Sequence, residues 1–158
     1  MTRIKLAYEL DPEAIEEAKT TDLTQVCRDV LAFSVLYGMV TFIVNDVDFS
    51  EFTGILDFAA RFDLIMNRLS SGEVTELRYL NVDGGSFIDF KRTAEDEVFI
   101  GCYYKMDRVP ETTASLSELK VAARSFAHKV FKEFFEMYPA LKENEQLEQW
   151  LEYIEFPH

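Results

Sequence analysis

The stretch DVDFSEFTGILD carries oxygen-bearing side chains at a spacing that could bind a metal ion. Asp46, Asp48 and Ser50 lie two residues apart, and Asp57 closes a span close to that of an EF-hand calcium loop. An EF-hand also needs Gly at its sixth position and a helix on each side. Glu51 stands at the sixth position, and the preceding segment, MVTFIV, has the β-branched composition of a strand. We therefore predict no metal site.

A turn followed by a helix explains the same residues more simply. Asn45 and Asp46 tolerate the positive φ angles of a tight turn, and residues 47–49 would form a short returning strand. Ser50 is then expected to cap a helix, with Glu51 in the first turn facing the positive end of the helix dipole. Under this interpretation the acids remain available for contact with another molecule.

Side chains for nucleophilic catalysis are scarce in this sequence. The two histidines have no clustered Cys or His near them, and no Walker loop or dinucleotide-binding glycine pattern occurs. Helical projection places His128 on a solvent-facing side, near a basic stripe formed by Lys120, Arg124, Lys129 and Lys132. Asp46, Asp48 and Asp89 could serve as general acid and base, although Asp89 is expected on the solvent face of its strand. A small enzyme that uses strand carboxylates is therefore an alternative to a binding protein.

Hydrophobic periodicity predicts strands and helices that could position these acids. Alternating apolar residues predict strands in RIKLAYEL, MVTFIV, ELRYLNV, SFIDFK and EVFIGCYYK. A tight turn at DGG and a polar turn at RTAEDE join the last three strands into hairpins. A 3.6-residue apolar period predicts a helix from Phe52 to Leu69, and another that Ser115 opens and Pro139 stops. A last helix over residues 143–154 would pack Leu147, Trp150, Leu151 and Ile154 against the body.

The segment between the first strand and MVTFIV is less regular. Asp11 followed by Pro12 predicts the start of a short acidic helix. Residues 22–37 begin with a helical apolar period, but the chain becomes apolar on all sides from Val30 onward. We expect a short helix that passes into a buried strand there. Gly38 is then expected to turn the chain into MVTFIV.

These elements predict an α+β fold. The chain has 158 residues and is 48% hydrophobic, with few Gly and Pro, as is typical of a folded globular protein. We predict a single α+β domain over residues 1–158. Its mainly antiparallel sheet would have about five to six strands, with a helix after the first hairpin and two C-terminal helices packed on it.

The net charge of −13 limits the partners that the chain can have. Nucleic acid and anionic membranes both require a basic face, so we expect the chain to bind neither. No apolar run is long enough to span a bilayer, and MTRIKLAYEL is too polar for a signal peptide. Cys27 and Cys102 show no pairing motif, so we expect reduced thiols and a cytoplasmic location.

Acids beside aromatic residues indicate a protein-binding surface. No Lys or Arg occurs between Arg28 and Arg61, whereas several acids do, and further acids lie at the tips of the later hairpins. Aromatic anchors ringed by charge are typical of such surfaces, where charge sets association rate and specificity. The predicted partner-binding residues are Asp46, Asp48, Glu51, Asp57, Asp83, Asp89, Glu95 and Asp96.

The chain resembles the small acidic immunity proteins of bacterial polymorphic-toxin and contact-dependent inhibition systems. The region that carries the resemblance is MVTFIVNDVDFSEFTGILDFAARFDLI with the hairpins that follow it. The resemblance implies a non-enzymatic protein without a cofactor, which docks an acidic surface over the active site of a basic toxin. The carboxylates would then replace the phosphates of a nuclease substrate.

An adaptor or a homo-oligomer subunit is a further alternative. This interpretation requires the MVTFIV strand to lie at an exposed sheet edge, where it could pair with a second copy of the chain. A homodimer would follow from such pairing.

Overall fold

The computed structural model describes residues 1–81, 85–104, 107–148 and 150. These residues form eight strands and four α-helices, and the strands make two four-stranded antiparallel sheets. The α+β class is thereby confirmed. The number of strands is larger than the five or six that we predicted.

The first sheet consists of β1 (Ile4–Leu10), β2 (Tyr37–Val44), β3 (Val47–Asp48) and β4 (Glu51–Gly54). β2 is its central strand, since it pairs with β1 on one side and with β3 and β4 on the other. Alternate residues of β2 are buried, as the period of a half-buried strand predicts. The MVTFIV segment is therefore not at the sheet edge that the homo-oligomer alternative required.

The second sheet is a meander of β5 (Glu76–Leu80), β6 (Ser86–Ala94), β7 (Glu97–Tyr104) and β8 (Asp107–Ser115). The first three of these strands were predicted. The sequence of β8, DRVPETTAS, lacks the alternation of apolar residues and contains a proline, so its strand was missed. The turn predicted at Asp83 lies outside the described residues.

The segment before β2 is helical. α1 (Pro12–Lys19) confirms the predicted short helix, and α2 (Arg28–Val30) continues as a π-helical turn over Leu31–Val35. The strand that we predicted in this segment is therefore wrong. Leu31, Ala32 and Val35 are all buried. Periodicity does not distinguish a short helical segment of continuous apolar sequence from a buried strand, which explains the error.

α3 (Ile55–Ser71) and α4 (Leu116–Met137) are the two long helices. α3 begins later than predicted because the residues after Ser50 pair with β2 as β4. Ser50 therefore does not cap the helix, and its Oγ accepts a hydrogen bond from the Phe42 N–H at 3.0 Å. Gly72 takes the left-handed conformation and ends α3, as the SSG sequence predicted.

The ends of α4 agree with the sequence. Ser115 is the N-cap, and its Oγ accepts a hydrogen bond from the Glu118 N–H. After Tyr138 the chain continues as 3-10 turns over Pro139–Glu143 and Glu145–Leu147. Leu147 and Trp150 are buried as predicted, whereas Leu151 and Ile154 lie outside the described residues.

Gly38 lies inside β2, opposite Leu10, so the turn that we predicted at this residue is wrong. A Cβ atom at this position would collide with the carbonyl oxygen of Glu9. The glycine is therefore required for the close approach of β1 to β2.

Both sheets and both long helices contribute to one hydrophobic core. The Phe62 ring on α3 lies 5.0 Å from Phe42 on β2 and 5.6 Å from Phe90 on β6, between ring centroids. Phe58 on α3 contacts Phe126 on α4 in an edge-to-face arrangement. The long helices thus connect the two sheets.

Candidate functional site

A groove lies between the two sheets, where β3 and β4 approach the second sheet. Its volume is about 440 Å³, and two of the predicted acids, Asp48 and Glu51, line it together. The other lining residues are Phe49, Ser50, Phe52, Asn81, Gly85, Ser86, Cys102 and Pro110. We call it the acidic groove. It joins the stretch DVDFSEF to residues of the second sheet that are distant in sequence.

Two hydrogen bonds hold β4 against the second sheet at this groove. The Ser86 Oγ donates to Glu51 Oε2 at 2.6 Å, and the Asn81 Nδ2 donates to the Phe52 carbonyl oxygen at 2.7 Å. Asn81 is buried, so its amide side chain exchanges water for this protein acceptor. The Glu51 carboxylate is therefore held in a fixed position in the groove wall.

Asp48 is the exposed acid of the groove. Its Oδ1 accepts a hydrogen bond from the Ser50 backbone N–H at 2.8 Å. Hydrogen bonds from the Ser50 side chain and backbone lower the pKa of Asp48 below its ordinary value, because they stabilise the charged form. Asp48 is consequently a carboxylate at neutral pH.

An aromatic side chain lies at the mouth of the groove. Phe52 is 52% exposed, and its ring is stacked on Tyr37 with 6.4 Å between the centroids. A large exposed aromatic residue beside carboxylates is the combination that predicts a protein-binding anchor. The structure places this combination around the acidic groove.

The thiol of Cys102 also lines the groove. Burial raises the pKa of Cys102, and the negative charge of Glu51 raises it further. The thiol therefore stays protonated at neutral pH, whereas a cysteine nucleophile needs a lowered pKa. Nucleophilic catalysis by Cys102 would require the opposite electrostatic environment.

Among the described side chains that line the groove, the charged ones are the carboxylates of Asp48 and Glu51. Glu51 Oε1 is buried and its Oε2 accepts the hydrogen bond from Ser86, so Asp48 is the carboxylate that is open to solvent. A carboxylate can accept two parallel hydrogen bonds from a guanidinium group. The arrangement is therefore suited to receive a cationic side chain from another molecule.

Two of the predicted acids lie near the groove but do not line it. Asp46 is in the turn before β3, and this turn has the positive φ angles that we predicted at Asn45 and Asp46. The Asp46 Oδ2 atom lies 2.6 Å from a guanidinium nitrogen of Arg3. Asp57 is in the first turn of α3 and is only 4% exposed. Its carboxylate pairs with Arg61 at 2.8 Å. Burial makes Asp57 a structural residue, contrary to its predicted role in a surface.

Asp89 lies on the face of β6 that points away from the core, but it is not solvated as we expected. The Arg78 guanidinium donates to both carboxylate oxygens of Asp89, at 2.6 and 3.1 Å. The same guanidinium lies over the Phe87 ring, 3.7 Å from its centroid. Asp89 is consequently buried in an ion pair and does not present a free charge.

Glu95 and Asp96 lie in the β6–β7 turn, at the opposite end of β6 from the acidic groove. A nine-residue strand separates the two places by about 30 Å. Asp96 binds the start of α4, where its Oδ1 accepts from the Ser117 N–H at 2.7 Å and its Oδ2 accepts from the Ser115 hydroxyl at 2.8 Å. The bond from the Ser117 N–H is the main reason that the pKa of Asp96 is lowered.

One member of the basic stripe on α4 is not solvated as we predicted. The Arg124 Nε donates to Asp63 Oδ1 at 2.9 Å, and Asp63 on α3 is completely buried. His128 is half-buried on the same helix. The Asp63–Arg124 pair fixes α3 against α4, and nothing in the sequence pattern had connected the two residues.

Sequence reasoning missed Asn81, Ser86 and Cys102 as residues of the groove. Each belongs to the second sheet, and each reaches Glu51 or its neighbours only through the packing of one sheet on the other. The sequence carried no signal for this contact beyond the presence of polar side chains near strand ends.

Comparison of the chain with protein-family models, with curated proteins and with solved structures finds no match. Among the described residues, no helix has both the length and the apolar character needed to cross a membrane. The same part of the chain contains no group of three His, Cys, Asp or Glu side chains that could hold a metal ion.

Proposed function

We propose that the chain is a non-enzymatic binding protein, specifically a bacterial immunity protein that neutralises a basic toxin. One observation carries the proposal: the exposed carboxylate of Asp48 lies in a groove together with Glu51 and beside the exposed ring of Phe52. A cationic side chain of the toxin would enter the groove, and Phe52 would pack against the surrounding toxin surface. Docking in this way would cover the active site of the toxin.

The overall charge supports the same partner. A net charge of −13 attracts a basic protein over long distances and accelerates association with it. The groove then selects a partner by shape as well as by charge, because Ser86 holds Glu51 in place. A partner without a cation at the matching position would leave two carboxylates desolvated, which disfavours binding.

The enzyme alternative has weaker support. Acid–base catalysis by two carboxylates needs one pKa to be raised so that one group can donate a proton at neutral pH. The pKa of Asp48 is lowered, and the pKa of Cys102 is raised, so neither group is tuned for acid or nucleophilic catalysis. We therefore place binding ahead of catalysis.

Expression of the genes that flank the coding sequence tests the proposal. One flanking gene is expected to encode a product that stops bacterial growth, and co-expression of this chain is expected to restore growth. The Asp48→Lys and Glu51→Gln double variant is expected to restore growth poorly, because it removes the negative charge of the groove.

Glu95→Lys provides the matched control, since it changes an exposed acid at the other end of β6. This variant is expected to protect as well as the wild type. If neither flanking product is toxic, the immunity role is wrong. If the groove double variant protects fully, the acidic groove is not the binding site.

A further inference from the structure

The open side of β1 is an unused edge of the first sheet. β1 pairs with β2 from Ile4 to Leu10, and no described strand pairs with its other side. The Asn45 N–H donates to the Arg3 carbonyl at the start of this ladder, so odd-numbered residues of β1 bond to β2. The even-numbered residues therefore direct their N–H and C=O groups toward the open side.

Two cavities lie along β1, between its core-facing side chains and the neighbouring helices. Ile4 and Leu6 line a cavity of about 250 Å³ with the side of α4. Tyr8 and Leu10 line an adjoining one of about 610 Å³, which also includes the exposed Ile15. Apolar side chains of an added strand could continue the core face of the sheet here.

The sequence of β1 is complementary to itself in antiparallel orientation. A two-fold axis through Ala7 would place Leu6 opposite Tyr8 and Lys5 opposite Glu9. Lys5 and Glu9 are both exposed, and the side chain of neither makes a hydrogen bond or ion pair with another described residue. Opposite charges directly across two strands stabilise their pairing.

The same register satisfies the backbone. It pairs even-numbered residues with even-numbered residues, which are the ones whose N–H and C=O groups point outward. Each of these pairs would exchange two hydrogen bonds. A register shifted by two residues would keep the bonds but would lose the match between Lys5 and Glu9.

We propose that the chain forms a homodimer by antiparallel pairing of β1 with β1 of a second copy, about a two-fold axis at Ala7. The two first sheets then form one continuous sheet across the dimer. The acidic groove lies beyond the opposite side of β2, so both grooves of the dimer remain open. The dimer is independent of the proposed toxin binding.

Sedimentation equilibrium of charge-reversal variants tests the dimer. Lys5→Glu places a glutamate opposite Glu9 of the second copy at both ends of the interface, and Glu9→Lys does the reverse. Each single variant is expected to raise the dimer dissociation constant by about tenfold or more. An equimolar mixture of the two variants restores two attractive pairs, so it is expected to recover wild-type dimerisation.

Lys91→Glu and Glu76→Lys are the matched controls, because these residues form an opposite-charge cross-strand pair in the second sheet. Both are expected to dimerise as the wild type does. A wild type that remains monomeric at about 1 mM would overturn the proposal. A dimer that is insensitive to both β1 variants, or a mixture that stays dissociated, would overturn it as well.

Discussion

Two hairpin regions of this molecule are both rich in acids, but the residues that surround the acids differ. Asp48 and Glu51 line the acidic groove, where no described lining residue is a cation. Glu95 and Asp96 line a second cavity of about 880 Å³, whose described lining also contains Arg92, Lys120 and Arg124. In the second region cations lie in the described lining beside the acids, and Asp96 bonds to the start of α4, whereas we propose that Asp48 in the first region contacts another molecule.

The difference shows that exposure alone does not make an acid available. Asp96 is exposed, yet its carboxylate accepts three hydrogen bonds from Ser115 and Ser117 at the start of α4. Within the described part of the chain, the carboxylate of Asp48 bonds to its near neighbour Ser50 and to no distant element. The neighbours of an acid therefore decide whether it serves the fold or a partner.

The largest effect on stability is expected for Asp63, the acid that is completely buried in an ion pair. Asp63→Ala leaves Arg124 half-buried without its carboxylate partner, and breaking such a pair costs about 3–5 kcal/mol. The free energy of unfolding, measured by urea titration, is expected to fall by this amount. A loss below about 1 kcal/mol would mean that this pair does not hold α3 against α4.

The groove acids are expected to affect binding and to leave folding nearly unchanged. The double variant Asp48→Asn and Glu51→Gln keeps the size of both side chains and removes their charges. It is expected to weaken binding of the proposed toxin partner by roughly 2–3 kcal/mol, as measured by calorimetry. Glu95→Gln is the control, and an equal loss for this variant would remove the distinction between the two regions.

Much of the fold was predictable because strands and helices with a clear apolar period can be recognised from the sequence. The predictions of β5, β6 and β7 and of the helix capped by Ser115 were correct. The errors have physical causes: β8 is polar, and the helical segment Leu31–Val35 is almost continuously apolar in sequence. Periodicity carries no information in either case.

The candidate site was less predictable. Asp48 and Glu51 are close in sequence, so their proximity could be predicted. The contact of Glu51 with Ser86 depends on how one sheet packs on the other. The pairing of Asp89 with Arg78 depends on the register between β5 and β6. Local patterns do not determine such contacts.

A smaller effect is expected at the cap of α4. Ser115→Ala removes the acceptor of the Glu118 N–H and one donor to Asp96, and loss of an N-cap costs about 1 kcal/mol. The thermal midpoint is expected to fall while binding of the proposed toxin partner stays unchanged. A change in binding would indicate that the β6–β7 turn belongs to the interface.

The smallest effect is expected in the pH dependence of stability. The pKa of Asp96 is lowered in the folded state, mainly by the Ser117 backbone N–H, from an ordinary value of 3.8. Asp96 therefore stabilises the fold above its ordinary pKa, and this contribution is lost as the pH falls through the lowered folded-state pKa. Asp96→Ala is expected to differ from the wild type at neutral pH and to converge with it in acid. A difference that persists at low pH would contradict this.

Titration of the isotope-labelled protein with N-acetyl-arginine amide, followed by NMR, tests most directly whether the acidic groove receives a cation. The amide resonances of residues around Asp48, Glu51 and Ser86 are expected to shift with the concentration of this probe, and those around Asp96 and Ser117 are expected to stay in place. Equal shifts in both regions, or shifts confined to the β6–β7 turn, would contradict the account.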